Sequence, residues 1–155
     1  MANTIWIETS KSDSGSISEP ATVNTMSVEE MKAELIRLTN IERKKAGVQE
    51  LEVMPQLMES AQCKADDMLE HHYFDHDSPT YGTIGHMIKD RIPDAKSAGE
   101  NLASWTKTPE EAIYGLMNSP AHKANMLDAK YTHIGVGIID SKDGGYWWVQ
   151  QFVKM

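Results

Sequence analysis

The sequence predicts an α+β domain in which helices flank a small antiparallel sheet. Two observations carry this reading. Residues 27 to about 127 repeat apolar side chains at helical spacing behind recognisable caps, and the C-terminal part switches to strict alternation around a glycine turn. Helices grouped apart from hairpin-connected strands give an α+β architecture, whereas regular βαβ alternation would give a parallel sheet.

The elements follow in order. Residues 9–25 are rich in Ser and Thr and nearly free of large apolar groups, so they cannot bury enough surface to offset their ordering entropy. Residues 1–26 are therefore read as an N-terminal arm or linker, with an edge strand over Thr4 to Glu8, and residues 27–155 as the domain. Ser27-Val28-Glu29-Glu30 is a capping box opening a helix with Met31, Leu35, Leu38 and Ile41 on one face, closed by Gly47. A second helix is expected from Pro55 to His72, with Leu57, Ala61, Ala65 and Met68 inward; its alanines imply close contact with a neighbour. Ile84, Met87 and Ile88 mark a short third helix that stops before Pro93. Thr108-Pro109-Glu110-Glu111 starts a fourth, carrying Ala112, Ile113, Leu116 and Met117, and Ser119-Pro120 starts a short fifth. Strands are expected over Ala98 to Trp105, around Ile134, Val136 and Ile138, and over Tyr146 to Val153, the last two joined through Asp143-Gly144-Gly145. Gly135 and Gly137 allow another element to lie directly on the strand backbone.

Composition narrows the function. A net charge of −8 opposes phosphate, which argues against nucleic-acid binding or a grip on anionic lipid. The longest strictly apolar-plus-glycine run, Ile134 to Ile139, is far short of the roughly 20 residues of a membrane span. No basic and then apolar leader precedes the domain; this fits a cytosolic chain or a mature form with its leader removed. Cys63 is the single cysteine, which excludes an internal disulfide and a cysteine metal cage. Its place among alanines predicts a buried, inert thiol.

Three segments concentrate site chemistry: Tyr73-Phe74-Asp75-His76-Asp77-Ser78-Pro79, Gly99-Glu100-Asn101-Leu102, and Ser119-Pro120-Ala121-His122-Lys123-Ala124-Asn125-Met126-Leu127. Two histidines and a carboxylate from separate elements can meet at one mouth, as metal ligands do. His122 falls in the first turn of a helix, whose dipole disfavours imidazolium and leaves a nitrogen able to ligate. His72 and His76 are four apart but lack the glutamate of a metallopeptidase helix, and no Gly-x-Ser-x-Gly elbow occurs. Glu111 and Glu110 are explained as a capping partner and a dipole partner. Trp105, Trp147 and Trp148 are core or groove-lining candidates.

From about Leu35 to Val153 the chain resembles the CAP domain (cysteine-rich secretory protein, antigen 5, pathogenesis-related 1) in its short bacterial form. The pattern runs Asn40-x-x-Arg43-x-x-x-Gly47-x-x-x-Leu51, Leu57-x-x-x-Ala61-x-x-x-Ala65, Phe74-Asp75-His76, Gly99-Glu100-Asn101-Leu102, Met117 to Leu127, and Ile134-Gly135-Val136-Gly137, ending in a Trp-containing strand. The resemblance implies an α–β–α sandwich and a cleft with two His and two acidic residues, whose histidines bind a divalent metal, often zinc, in some members. Carried over residue by residue, the cleft is His76, Glu100 and His122, with His76 and His122 as metal ligands. Leu116 and Ser119 stand where eukaryotic members have Trp and the fourth, acidic member, and Asn125 stands where they have Gln. Asn125, Ser119 and His133 are further cleft candidates. Two histidines and water form an incomplete zinc shell, so the expected cation is weakly bound. The family's members are mostly secreted and act through partners or lipids. The resemblance therefore implies a secreted or cell-surface binding protein with a groove for a lipid-like or protein partner and no assigned catalytic residue. The alternative is a metal-assisted or acid/base hydrolase, with His76 or His122 as base and Glu100 orienting it.

Overall fold

The computed structural model describes the backbone of residues 2–4 and all of residues 26–155. In chain order these form β1 (Ala2–Thr4), α1 (Val28–Lys45), β2 (Glu52–Val53), α2 (Pro55–Glu70), α3 (Ile84–Arg91), β3 (Ser97–Thr106), α4 (Pro109–Met117), α5 (Pro120–Leu127), β4 (His133–Asp140) and β5 (Tyr146–Lys154). The sheet order is β1-β3-β5-β4-β2.

The three long strands pair antiparallel, as the hairpin reading requires, while the short outer strands β1 and β2 pair parallel with β3 and β4. The sheet is thus mixed. Two-residue β2 has no periodicity to reveal it, and its partner is remote in sequence. An edge strand is expected over Thr4 to Glu8; the described edge strand β1 spans Ala2–Thr4 and shares only Thr4 with that span, whose residues 5–8 lie outside the described residues.

Alternation along the strands divides the sheet into two faces. Ile134, Val136 and Ile138 of β4 lie opposite Phe152, Gln150 and Trp148 of β5, and this face meets α1, α4 and α5 through Leu35, Leu116 and Met126. The other face, with Leu102, Val149 and Val153, meets α2 and α3 through Leu57, Ala61, Ala65, Met68 and Ile88. Two helical layers enclosing a sheet make the α–β–α sandwich. The α2 layer is exceptionally close. A Cβ on Gly135 would lie 2.2 Å from the Leu57 carbonyl group, and one on Gly137 2.2 Å from the Ala61 oxygen. Glycine is required there for contact, not for conformation.

The helix starts behave as their residues dictate. Ser27, Thr83 and Thr108 each accept the N3 amide of the helix that follows. In α1 the buried stripe is Met31, Leu35, Ile36, Thr39 and Arg43, so Leu38 and Ile41 are only half-buried. Arg43 is fully buried and donates to the carbonyls of Gln49, Met126, Asp128 and Tyr131, while Asn40 exchanges two hydrogen bonds with the Leu51 backbone. The Asn40…Arg43…Leu51 motif is therefore a clamp on the chain around the end of α5. Helix α2 ends at Glu70, slightly before the expected His72. Cys63 is half-buried, not sealed as expected; it falls outside the buried stripe Leu57, Ser60, Ala61, Lys64, Ala65, Asp67 and Met68 of α2.

Candidate functional site

Glu100 begins the site. It lies on β3 beside Gln151 of β5 and faces the α2 layer, with no exposed surface. A buried carboxylate must be paired or hydrogen-bonded, and here it has three partners. His76 Nδ1 is 2.8 Å from Oε1, Gln151 Nε2 donates to Oε2 at 2.9 Å, and the Lys64 ammonium stands 3.9 Å from Oε1. An ionised carboxylate only accepts, so Nδ1 of His76 donates and the ring is held with Nε2 pointing away from Glu100. That Nε2 is buried and has no hydrogen-bond partner among the described residues.

Lys64 is 1% exposed. Burial pushes its pKa below the ordinary lysine value, against the opposing fields of Glu100, Asp67, Asp75 and Asp77. Its ammonium also donates to the His76 carbonyl, which fixes the backbone of the loop from the other side.

The loop carrying His76 is anchored by Asp67, a buried residue of α2. Its carboxylate accepts from Ser78 Oγ at 2.6 Å, Thr80 Oγ1 at 2.6 Å and the Tyr73 hydroxyl, with His71 Nε2 at 3.4 Å. Burial alone would raise the Asp67 pKa, but the three hydroxyl donors outweigh it and hold it below the usual range. Burial first, and then the bond to Asp67, push the Tyr73 phenol up.

The His122 backbone meets Asn101, the neighbouring residue of β3. His122 is 3% exposed, its carbonyl accepts from Asn101 Nδ2 at 3.0 Å, and its Nδ1 is 2.7 Å from Ser119 Oγ. Ser119 was expected to cap α5; its hydroxyl is turned to His122 and makes no capping bond. Asn125 donates to the Glu100 backbone carbonyl at 3.2 Å and to Asn101 Oδ1 at 3.1 Å. Asn101 also donates to Gln150 Oε1 at 3.1 Å, and Gln150 to Thr39 Oγ1 at 3.0 Å. A buried polar chain thus runs from α1 through β5 and β3 to α5. Strand β1 covers the outer edge of β3 at this point, with Ala2 opposite Glu100 and Thr4 opposite Leu102.

The structure brings His76 and Glu100 into direct contact and links His122, Ser119 and Asn125 to the same stretch of β3. It places His133 elsewhere. As the first residue of β4, His133 is separated from β3 by β5, and its Nε2 lies 3.3 Å from Glu52 of β2. Among the described residues no group of three or more His, Cys, Asp or Glu side chains is arranged to hold a metal ion. Glu100 is turned to His76, Gln151 and Lys64, which makes it an orienting residue. Lys64 and Gln151 escaped the sequence reading. The signal was a lysine inside the Leu57-Ala61-Ala65-Met68 stripe and a pair of glutamines in an otherwise apolar strand.

An α–β–α sandwich with a buried His–Glu pair at β3 of its sheet defines the class, a CAP-type domain. The cysteine-rich secretory protein family model matches residues 36–152, and the chain belongs to that family. It is 44% identical over 127 residues to the Bacillus subtilis protein YkwD, described as uncharacterized, covering 82% of this chain and 48% of YkwD. It is 35% identical to the Bacillus subtilis membrane protein YlbC, likewise described as uncharacterized, covering 78% of this chain and 34% of YlbC. The chain therefore spans less than half the length of these curated relatives. Among solved structures, an extracellular SCP-domain protein of Bacillus anthracis superposes with a TM-score of 0.73 at 30% identity, covering 84% of this chain and 44% of that one. An outer surface protein of Borrelia burgdorferi superposes with a TM-score of 0.76 at 22% identity, covering 83% and 96%. No described helix is long and apolar enough to cross a membrane.

Proposed function

We propose that the chain is a secreted or cell-surface binding domain whose His76 and His122 take a divalent cation or small polar ligand, beside a groove for a lipid-like or protein partner. The observation that carries this reading is His76. Its ring is oriented by fully buried Glu100, and the opposite nitrogen is buried without a protein hydrogen-bond partner among the described residues. Buried polar atoms are nearly always satisfied, so such an atom points to an occupant. The donor set suits a cation held by imidazole nitrogens, with Glu100 orienting a ligand as outer-shell carboxylates do. Two imidazoles and a nearby ammonium make that site weak. When bound, the cation would supply Lewis acidity. The extracellular setting of the Bacillus anthracis relative supports the proposed location.

One contact favours the hydrolase alternative: Ser119 Oγ, a potential nucleophile, is 2.7 Å from His122 Nδ1. Thermal melting with and without zinc tests the cation site. Binding at a hundredfold excess over the dissociation constant stabilises by about 2.7 kcal/mol, and this gain is expected to vanish in His76→Ala and His122→Ala. Retention of the full shift in both variants would overturn the cation site. Ester or peptide turnover abolished by Ser119→Ala would establish the hydrolase instead.

A further inference from the structure

Beside the proposed cation site stands a side chain whose charge opposes a cation. Lys64 occupies an inward position of α2, in a stripe that Leu57, Ala61, Ala65 and Met68 make apolar. An apolar residue would complete that stripe without the cost of taking an ammonium out of water. The lysine is nevertheless 1% exposed, so its charge lies inside the domain and is not carried out to solvent.

Two groups address one oxygen of Glu100. His76 Nδ1 lies 2.8 Å from Oε1, and Lys64 Nζ lies 3.9 Å from the same atom, while Oε2 takes the Gln151 amide. The ammonium also donates to the His76 carbonyl, so it is tied both to the partner of the ring and to the backbone of the residue that carries it. The other carboxylates that act on Lys64 are spent or screened. Asp67 is committed to the hydroxyls of Tyr73, Ser78 and Thr80, and Asp75 and Asp77 are exposed to water.

A carboxylate behind a metal-binding imidazole normally strengthens it, because the negative charge raises the basicity of the far nitrogen. A cation beside that carboxylate works in reverse. It draws charge from the oxygen to which His76 donates, which lowers the basicity of Nε2. It also repels a divalent ion directly, through an interior where charges are poorly screened. Both effects have the same sign. We propose that Lys64, on the cation reading of His76 and His122 on which this rests, sets the affinity of that site. It offsets the charge of Glu100, so that a divalent ion is held weakly and exchanges. Lys64 acts through Glu100 as a positioning residue and is not itself a ligand.

The test is isothermal titration calorimetry of the full chain with zinc at neutral pH. Lys64→Gln keeps a donor for the His76 carbonyl and removes the charge. It is expected to bind zinc about 10–100-fold more tightly than the wild type, the range over which outer-shell groups act. A merely structural lysine could only weaken the site when replaced. Lys64→Arg keeps the charge and is expected to stay close to the wild type. The gain in Lys64→Gln should disappear when His76→Ala is added, and near-UV circular dichroism checks each fold. Where Lys64→Gln is too unstable, Lys64→Met/Glu100→Gln decides, because it leaves no stranded charge. Its two losses oppose each other, so zinc affinity near that of the wild type is expected. Unchanged or weaker binding by folded Lys64→Gln, or a double variant weaker than the wild type by about tenfold or more, overturns the role of Lys64 and leaves a zinc-binding wild type as it was. Binding by Lys64→Gln with none by the wild type supports that role and removes the cation from the native function. No binding by any of these proteins overturns both.

Discussion

The ammonium of Lys64 stands 3.9 Å from the carboxylate of Glu100, and both side chains are closed off from water. Each charge compensates part of the other's burial, beside the bonds that Glu100 takes from His76 and Gln151 and that Lys64 gives to the His76 carbonyl. Removing one partner of a buried pair costs about 3–5 kcal/mol, since it strands the survivor. Lys64→Met is therefore expected to lower stability by about that amount in chemical denaturation. The double variant Lys64→Met/Glu100→Gln should recover part of the loss. A strictly additive double-mutant cycle would show that the pair is not coupled.

Acid sensitivity should originate at Asp67. Its folded pKa lies below the unfolded value near 3.9, so the associated stability is fully present above about pH 4 and is lost as pH falls through the folded pKa. Asp67→Asn removes the titration and should flatten the stability profile as pH falls below about 4. Hydrogen bonds to a charged group contribute about 1.5–3 kcal/mol each. A loss of about 3 kcal/mol or more at neutral pH is therefore expected for Asp67→Ala, together with mobility of the His76 loop in hydrogen exchange.

Much of this domain was legible because its elements are locally coded. Ser27, Thr83 and Thr108 cap where their spacing says, and alternation of Ile134, Val136 and Ile138 fixes which face of β4 is buried. Gly135 and Gly137 announced a close neighbour, though only the fold shows that it is the α2 backbone. The mixed character of the sheet was not legible, because parallel pairing of β1 and β2 joins remote segments with no turn to mark them. The site was half legible. His76, Glu100 and His122 were visible through an ordered motif pattern, while Lys64 and Gln151 acquire their roles only when α2 and β5 are laid beside β3. His133 was a cleft candidate because it precedes the glycine-rich strand, yet the strand order sets it beside Glu52.

The N-terminal arm offers a separate test. Strand β1 contributes three residues to an open edge of β3, and edge pairings each add roughly 1 kcal/mol per hydrogen bond before ordering entropy is subtracted. Deleting residues 1–25 should leave residues 27–155 folded, with a midpoint in denaturant close to that of the full chain. It should also expose the Glu100–Leu102 edge, so amide exchange there is expected to accelerate selectively. Global unfolding on truncation would make the arm part of the domain.

The same substitution, glycine to alanine, should act with opposite signs at two positions. At Gly137 an added Cβ would come within 2.2 Å of the Ala61 oxygen and 2.4 Å of its carbonyl carbon, both backbone atoms that cannot rotate aside. Helix α2 would have to lift from the sheet, and overpacking costs about 1–3 kcal/mol, with a clash against backbone atoms at the upper end. The displacement would also carry Lys64 and Asp67 away from the His76 loop, so a weaker zinc shift should accompany the lost stability. At Gly85, inside α3, an added Cβ meets nothing closer than Thr83 Oγ1 at 4.0 Å. There alanine restricts the unfolded chain and favours the helix, and a gain of about 0.4–1 kcal/mol is expected. Urea denaturation of the two variants side by side measures both effects. A neutral Gly137→Ala would mean that α2 does not rest on the backbone of β4 as described.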